Sequence, residues 1–138
     1  MSSSEIAIVT PHDYVSRLRA VLGPGCGGGF PRRQRDRLIL LHALSRWFRE
    51  DEHLSEKDAT QRIESFLLVN GTHLDLDAVS LRRALVDDGF VDRDPAGRDY
   101  RASRRFERRI RFEGEMPDVT EALAPRDLPP DEKRSRPN

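Results

Sequence analysis

The chain has 138 residues, enough for one ordinary domain, and its 24 basic and 24 acidic side chains leave a formal net charge of zero, so the whole molecule has no built-in attraction to nucleic acid or an anionic membrane. Hydrophobic residues make up 36% and charged residues 35% of the total, so a core forms only if the apolar side chains are concentrated in a few segments. The single cysteine, Cys26, rules out an internal disulfide and a cysteine-based zinc set. There is no basic-then-apolar leader at the Met-Ser-Ser-Ser-Glu start and no run of about 18 apolar residues, so the expectation is a soluble, cytoplasmic protein without a membrane partner.

In chain order, residues 1–22 read as an N-terminal amphipathic helix. Thr10 is placed to cap it, Pro11 suits the first helical position, and Asp13 sits near the positive end of the helix dipole. Tyr14, Leu18 and Leu22 then share one face. Residues 23–29, Gly-Pro-Gly-Cys-Gly-Gly-Gly, read as a flexible linker; a phosphate-cradling loop needs a Lys-Ser/Thr pair and an immediate helix, and Phe30-Pro31 comes next instead.

From Arg33 to about Arg49, Leu38, Leu41, Leu44 and Phe48 recur at helical spacing, with Leu40 and Trp47 widening the apolar arc. His53-Leu54 is a candidate short strand. Ser55, with Asp58 three residues on, opens a second helix whose face is Ala59, Ile63, Phe66 and Leu67, and Asn70-Gly71 suggests a left-handed terminus. Asp75 and Asp77 open a third helix with Ala78, Leu81 and Leu85 inward, stopped by Gly89 with Phe90 closing back on Leu85. Phe90 to Arg93, the turn Asp94-Pro95-Ala96-Gly97, and Arg98 to Arg101 predict a two-stranded hairpin.

Helix, short strand, helix, helix, hairpin is the winged-helix order. The fold expected is therefore mainly α with a small β-hairpin, a three-helix core plus wing over residues 30–102. Residues 103–113 are a basic extension, readable as short helix or strand, and residues 114–138 are rich in proline and acid and read as a disordered tail.

Phe30-Pro31-Arg32-Arg33 before an apolar helix ending in Trp47-Phe48, then Leu54-Ser55-Glu56-Lys57-Asp58, the run from Leu81 to Arg93, and Gly97-Arg98-Asp99-Tyr100-Arg101 together carry a resemblance. Over roughly residues 30–102 the chain resembles the bacterial domain-of-unknown-function family 2087, found alone or behind ArsR-type helix-turn-helix regulators. The resemblance implies a fold and the company of transcription regulators, and assigns no site residues. The segment Leu67 to Leu76 departs from it, being longer and more apolar than the family's short acidic connection.

If such a domain docks on DNA, the third helix enters the major groove and presents Ser80 and Arg83, flanked by Arg82. Four aspartates, Asp75, Asp77, Asp87 and Asp88, surround them, and residues 30–102 hold 13 basic and 14 acidic side chains, where DNA-binding domains are usually basic. The bland reading pairs Arg82 and Arg83 with Asp87, Asp88 or the acids of the wing. The densest positive cluster is the hairpin together with the basic extension: Arg93, Arg98, Arg101, Arg104, Arg105, Arg108 and Arg109, with Arg111 beyond. That arm is the first choice for phosphate contact, with a protein partner or self-association as the competing use. Arg35, His42, Arg46 and Arg49 form a second stripe on the first core helix that reads equally well as solvated surface. His12, His42, His53 and His73 show no metal-ligand spacing, and no Ser or Cys has an activating neighbour. Neither a metal, a cofactor nor an enzyme is expected.

Overall fold

A computed structural model describes residues 6–124; residues 1–5 and the stretch of the expected tail from 125 to 138 lie outside the described residues. In chain order the elements are β1 (Ala7–Val9), α1 (Pro11–Leu22), α2 (Gln34–Ser45), α3 (Glu56–Asn70), α4 (Ala78–Asp87), β2 (Val91–Arg93), β3 (Tyr100–Ala102), a 3₁₀ turn (Arg105–Arg108), β4 (Ile110–Phe112) and α5 (Val119–Leu123). The architecture is mainly helical, with two small two-stranded sheets among the described residues.

The core is organised around α2. Leu38, Ile39, Leu40, Leu41, Ala43 and Leu44 are all buried, so this helix is enclosed on nearly every side rather than along one stripe. Helical spacing alone had marked a single apolar face, without Ile39. With α1 and α4 both packed against α2 and α5 lying on α1, Tyr14, Leu18 and Leu22 meet the same core as Leu81 and Leu85.

Local chemistry sets the helix ends. Thr10, Ser55 and Asp77 each accept a hydrogen bond from the backbone N–H three residues on, at 3.2, 3.0 and 3.0 Å, which satisfies donors that a helix start leaves open. At the other end of α4, Gly89 has φ 86°, and the Phe90 N–H reaches the Leu85 carbonyl at 2.9 Å while the Gly89 N–H reaches that of Val86 at 3.2 Å. That pair of bonds turns the chain out of α4 and straight into the hairpin. Asn70-Gly71 ends α3 differently from expectation. Gly71 has φ −111°, outside the left-handed region, and what favours glycine there is space: a Cβ would lie 2.8 Å from the end of the Leu67 side chain and 3.1 Å from its Cα, so Leu67 would have to shift.

The hairpin pairs β2 with β3 antiparallel, from Val91 opposite Ala102 to Arg93 opposite Tyr100. The candidate strand at His53-Leu54 contributes one residue: Leu54 and Tyr100 exchange backbone hydrogen bonds of 2.8 and 2.7 Å. In the turn, the Asp94 carboxylate accepts from the Arg98 and Asp99 amides at 2.6 and 3.0 Å, and Gly97 takes φ 73°.

Four segments outside the family-like region differ from the sequence reading. Of residues 1–22, expected as one amphipathic helix, Ala7–Val9 form the strand β1 and the helix runs only from Pro11 to Leu22, because pairing with a distant strand leaves no local signal. The glycine-rich stretch is fastened rather than free, because the Asp75 N–H donates to the Gly28 carbonyl at 2.8 Å and the Cys26 thiol to that of His73 at 3.4 Å. Residues 103–113 form both alternatives in succession, the 3₁₀ turn and then β4, and β4 pairs parallel with β1, Ala7 opposite Ile110 and Val9 opposite Phe112. Residues 114–124, placed by composition in a disordered tail, include α5 and bury Met116, Val119 and Ala122 in the core.

Gly89 and Gly97 both hold positive φ, but a Cβ on Gly89 would sit 2.8 Å from the Phe106 backbone nitrogen, whereas Gly97 faces open space. Gly97→Ala is expected to cost about 1 kcal/mol of unfolding free energy from the left-handed conformation alone. Gly89→Ala adds a backbone clash and is expected to cost at least about 2 kcal/mol; urea denaturation of the two variants measures the difference.

Candidate functional site

The ten side chains singled out from sequence separate into two groups. Arg82 is buried: it donates to the Thr60 hydroxyl at 2.7 Å, pairs with Glu56 at 3.1 Å, and lies over the Tyr100 ring at 5.5 Å. It therefore locks α4 to α3 and the hairpin, and is not available to a base edge. Arg104 pairs with Glu50 and Glu107. Arg105 pairs with Asp92 at 2.7 Å and reaches the Val86 and Val91 carbonyls. Arg109 pairs with Asp88 at 2.7 Å. These three belong to the segment that sequence reasoning ranked first for phosphate contact, and their charges are answered within the chain.

The second group is exposed. Arg83, Arg93, Arg98, Arg101 and Arg108 have no carboxylate within ion-pair distance among the described residues. Ser80 is exposed on the first turn of α4, and its amide is held by Asp77. Hydrogen bonding from Ser80, aided by the charge of Arg83, holds the Asp77 carboxyl below its ordinary range. Arg83 and Arg93 stand on opposite walls of a cleft of about 340 Å³ between α4 and the hairpin, with Asp87 and Pro95 beside them. Arg98 and Arg101 extend the same hairpin; Arg108 lies apart on the 3₁₀ turn.

Asp88 was read as one of the acids crowding the third helix. It is buried at the end of α4 and accepts from Arg37 of α2 at 2.8 Å and from Arg109 at 2.7 Å, one arginine on each carboxylate oxygen. Arg37, whose role the sequence reading missed, also lies over the Phe30 ring at 4.7 Å. The pairing spans 51 residues, and no local pattern marks it.

His42 leaves the solvated stripe to which sequence assigned it. Its Nδ1 is 2.8 Å from the Tyr14 hydroxyl, its ring stacks on Phe112 at 3.9 Å, and Phe106 and Phe90 approach edge-on at 5.8 and 6.4 Å. Burial, helped by the charges of Arg46 and Arg104, pushes its pKa down to about 3, and burial pushes that of Tyr14 up to about 12. Both groups are thus neutral at ordinary pH, a fully buried tyrosine paired with a half-buried histidine within an aromatic cluster. Arg46 of the same stripe donates to the Pro117 and Met116 carbonyls at 2.9 and 3.1 Å, and Arg35 pairs with Asp13 at 3.0 Å.

Among the described residues no three His, Cys, Asp or Glu side chains stand close enough to hold a metal ion, and no helix is long and apolar enough to cross a membrane.

This chemistry has two measurable outcomes. Asp88→Ala leaves Arg37 and Arg109 without their shared carboxylate and is expected to destabilise by about 3 kcal/mol, read by chemical denaturation. For His42, the unfolded chain takes up a proton near the ordinary value of 6.5 that the folded chain refuses until about pH 3, so protonation favours unfolding across that window. Stability is expected to fall by about 1–2 kcal/mol between pH 7 and pH 5, and His42→Gln to flatten that slope in denaturation curves taken across the same range.

No curated protein and no solved structure matches the chain. Residues 29–102, from the glycine-rich stretch through β3, match a family described as uncharacterised proteins conserved in bacteria, and on that match, which spans just over half of its length, the chain belongs to the family DUF2087.

Proposed function

We propose that this chain is a non-catalytic, transcription-associated regulatory module of winged-helix type, acting in the cytoplasm and contacting duplex DNA through α4 and the β2–β3 hairpin. The element order supports the reading: α2, the Leu54 bridge, α3, α4 and then a hairpin that Leu54 joins through Tyr100. The observation that carries it is the α4–hairpin cleft, whose opposite walls carry Arg83 and Arg93, with Arg98 and Arg101 adding exposed charge elsewhere on the same hairpin. In this reading Arg83 enters the groove from α4 while the hairpin arginines lie along the phosphates. Arg82, Arg104, Arg105 and Arg109 hold the frame instead of touching DNA.

A second reading, a protein-interaction module of the same shape, is favoured by a different observation. Leu68 and Val69 at the end of α3 are 80% and 60% exposed side by side, within the apolar segment that departs from the family-like pattern.

Fluorescence anisotropy with a mixed-sequence duplex separates the two. Three phosphate-contacting arginines predict that affinity falls about 40-fold between about 50 and 200 mM salt. Arg93→Ala with Arg98→Ala is expected to shallow that salt slope by about two contacts. Arg108→Ala, outside the cleft, is expected to leave it unchanged. Absent or salt-insensitive binding sinks the DNA reading and leaves the interaction module.

A further inference from the structure

Two recesses meet on one imidazole. The larger, of about 580 Å³, is walled by the end of α2, the 3₁₀ turn and the chain from β4 to Met116; the smaller, of about 450 Å³, by the end of α2 and the chain leaving the hairpin. His42, Arg46, Arg104 and Phe106 line both. The bond to Tyr14 fixes what the imidazole offers there. The Tyr14 hydroxyl is fully buried, burial keeps its proton on at ordinary pH, and its partner among the described residues is His42 Nδ1 at 2.8 Å. A buried hydroxyl takes the acceptor within reach, so the phenol donates to Nδ1 and the ring proton stands on Nε2. Nε2 has no hydrogen-bond partner among the described residues, and it reaches solvent, since their buried unpaired side-chain atoms are Arg19 Nε and Asn70 Nδ2. The half-buried His42 thus holds an idle N–H donor at the junction of the recesses.

The charge around that donor is positive. Beyond burial, the charges of Arg46 and Arg104 are what hold the His42 pKa down, so both act on the ring. Arg46 donates to the Pro117 and Met116 carbonyls, which answer its N–H groups but not its charge, and no carboxylate lies within ion-pair distance of it among the described residues. Arg104 already holds Glu50 and Glu107, and Glu115 shares its recess with Arg111. The carbonyl end of α2, which would repel an anion, is answered within the chain, the His42, Leu44 and Ser45 carbonyls accepting from the Arg46, Trp47 and Phe48 amides. Phe106, Phe112 and Met116 give the larger recess apolar walls, and the half-buried Phe112 ring lies on the imidazole at 3.9 Å.

We infer that this junction binds a small organic carboxylate with a flat apolar body, its carboxylate accepting from His42 Nε2 beside Arg46 and its body resting against Phe112 and the neighbouring wall. Concave sites with apolar walls and a few converging polar groups are where small molecules bind. A neutral donor beside an unanswered guanidinium favours an anion, and the aromatic wall favours one that carries a ring. No residue lining either recess lines the α4–hairpin cleft, so the site stands or falls independently of DNA binding.

The test titrates the full chain, ¹⁵N-labelled, with benzoate, acetate, benzyl alcohol and benzylamine, which separate charge from ring. Benzoate is expected to give saturable shifts of the His42 Nε2 resonance and the Phe112 amide. Affinity should be at least about tenfold weaker for the other three. Arg46→Gln is expected to weaken benzoate about tenfold and leave benzyl alcohol unchanged, which a merely structural loss would not do. Arg104→Gln, at an exposed side chain, is a second variant and is expected to weaken benzoate about threefold. Absence of saturable shifts at about 10 mM benzoate overturns the proposal. Acetate or benzylamine binding as tightly as benzoate also overturns it, as do shifts centred away from His42. Equal weakening of acid and alcohol by Arg46→Gln overturns it likewise.

Discussion

Everything in this chain is arranged around a helix that cannot be left half-covered. Six consecutive or near-consecutive apolar residues of α2 point in all directions around its axis, and a helix apolar on every side is stable only inside a protein. The family-like region supplies cover from α4, and α3 and the hairpin join the same buried cluster. The remaining cover comes from α1 and the segments after residue 103, which the matched region does not contain. This explains why a glycine-rich stretch that looks like a tether is pinned at Gly28, and why a segment as polar as residues 103–113 ends in a buried strand with Ile110 inward. The segments on either side of the central region share one task, closing the face of α2 that it leaves open.

The same requirement sorts the arginines. Segments drawn onto the core bring their charges with them, and several of the charges that come near buried surface are answered by a carboxylate or a carbonyl. Arg109 finds Asp88, Arg105 finds Asp92 and two carbonyls, and Arg46 finds the carbonyls ahead of α5. Exposed pairs of this kind contribute little, about 0–1 kcal/mol each, so Arg104 with its two glutamates adds orientation more than stability. Asp88 is different because its carboxylate is buried between two guanidinium groups that reach it from α2 and from beside β4. Of the arginines left over, Arg108 stands apart on the 3₁₀ turn, while Arg83 and the hairpin arginines make a positive region around the α4–hairpin cleft, produced by subtraction, which raw charge density along the sequence placed one segment later.

Features governed by neighbours in sequence were legible. Thr10, Ser55 and Asp77 cap helices because a short side-chain oxygen reaches an amide three residues away, and Gly89 stops α4 because only its conformation allows the Phe90 return bond. Features governed by distant partners were not. β1 is three residues long, too short for alternation to register, and it exists because β4 lies more than a hundred positions downstream. α5 hides in a proline-rich composition whose average conceals three well-spaced anchors, Met116, Val119 and Ala122. His42 read as a surface residue because its enclosure is built by aromatic rings from four other parts of the chain. The candidate site was half legible for the same reason: exposure of Arg93, Arg98 and Arg101 comes from a local hairpin, while the capture of Arg82 depends on Thr60 and Glu56 of another helix.

The parallel union of β1 with β4 also sets a timetable for synthesis. A ribosome adds Ile110 only about a hundred steps after Ala7, at about 5–20 residues per second. Throughout that interval the leading strand has no mate, and the apolar side of α1 can rest only on whatever part of α2 has already emerged. The central unit, whose contacts are mostly between adjoining elements, can condense before the β4 segment leaves the exit tunnel. Closure of the molecule is therefore a late event, and a nascent chain held with residue 102 just clear of the tunnel and β4 still inside it would carry a finished middle with an unsheltered beginning.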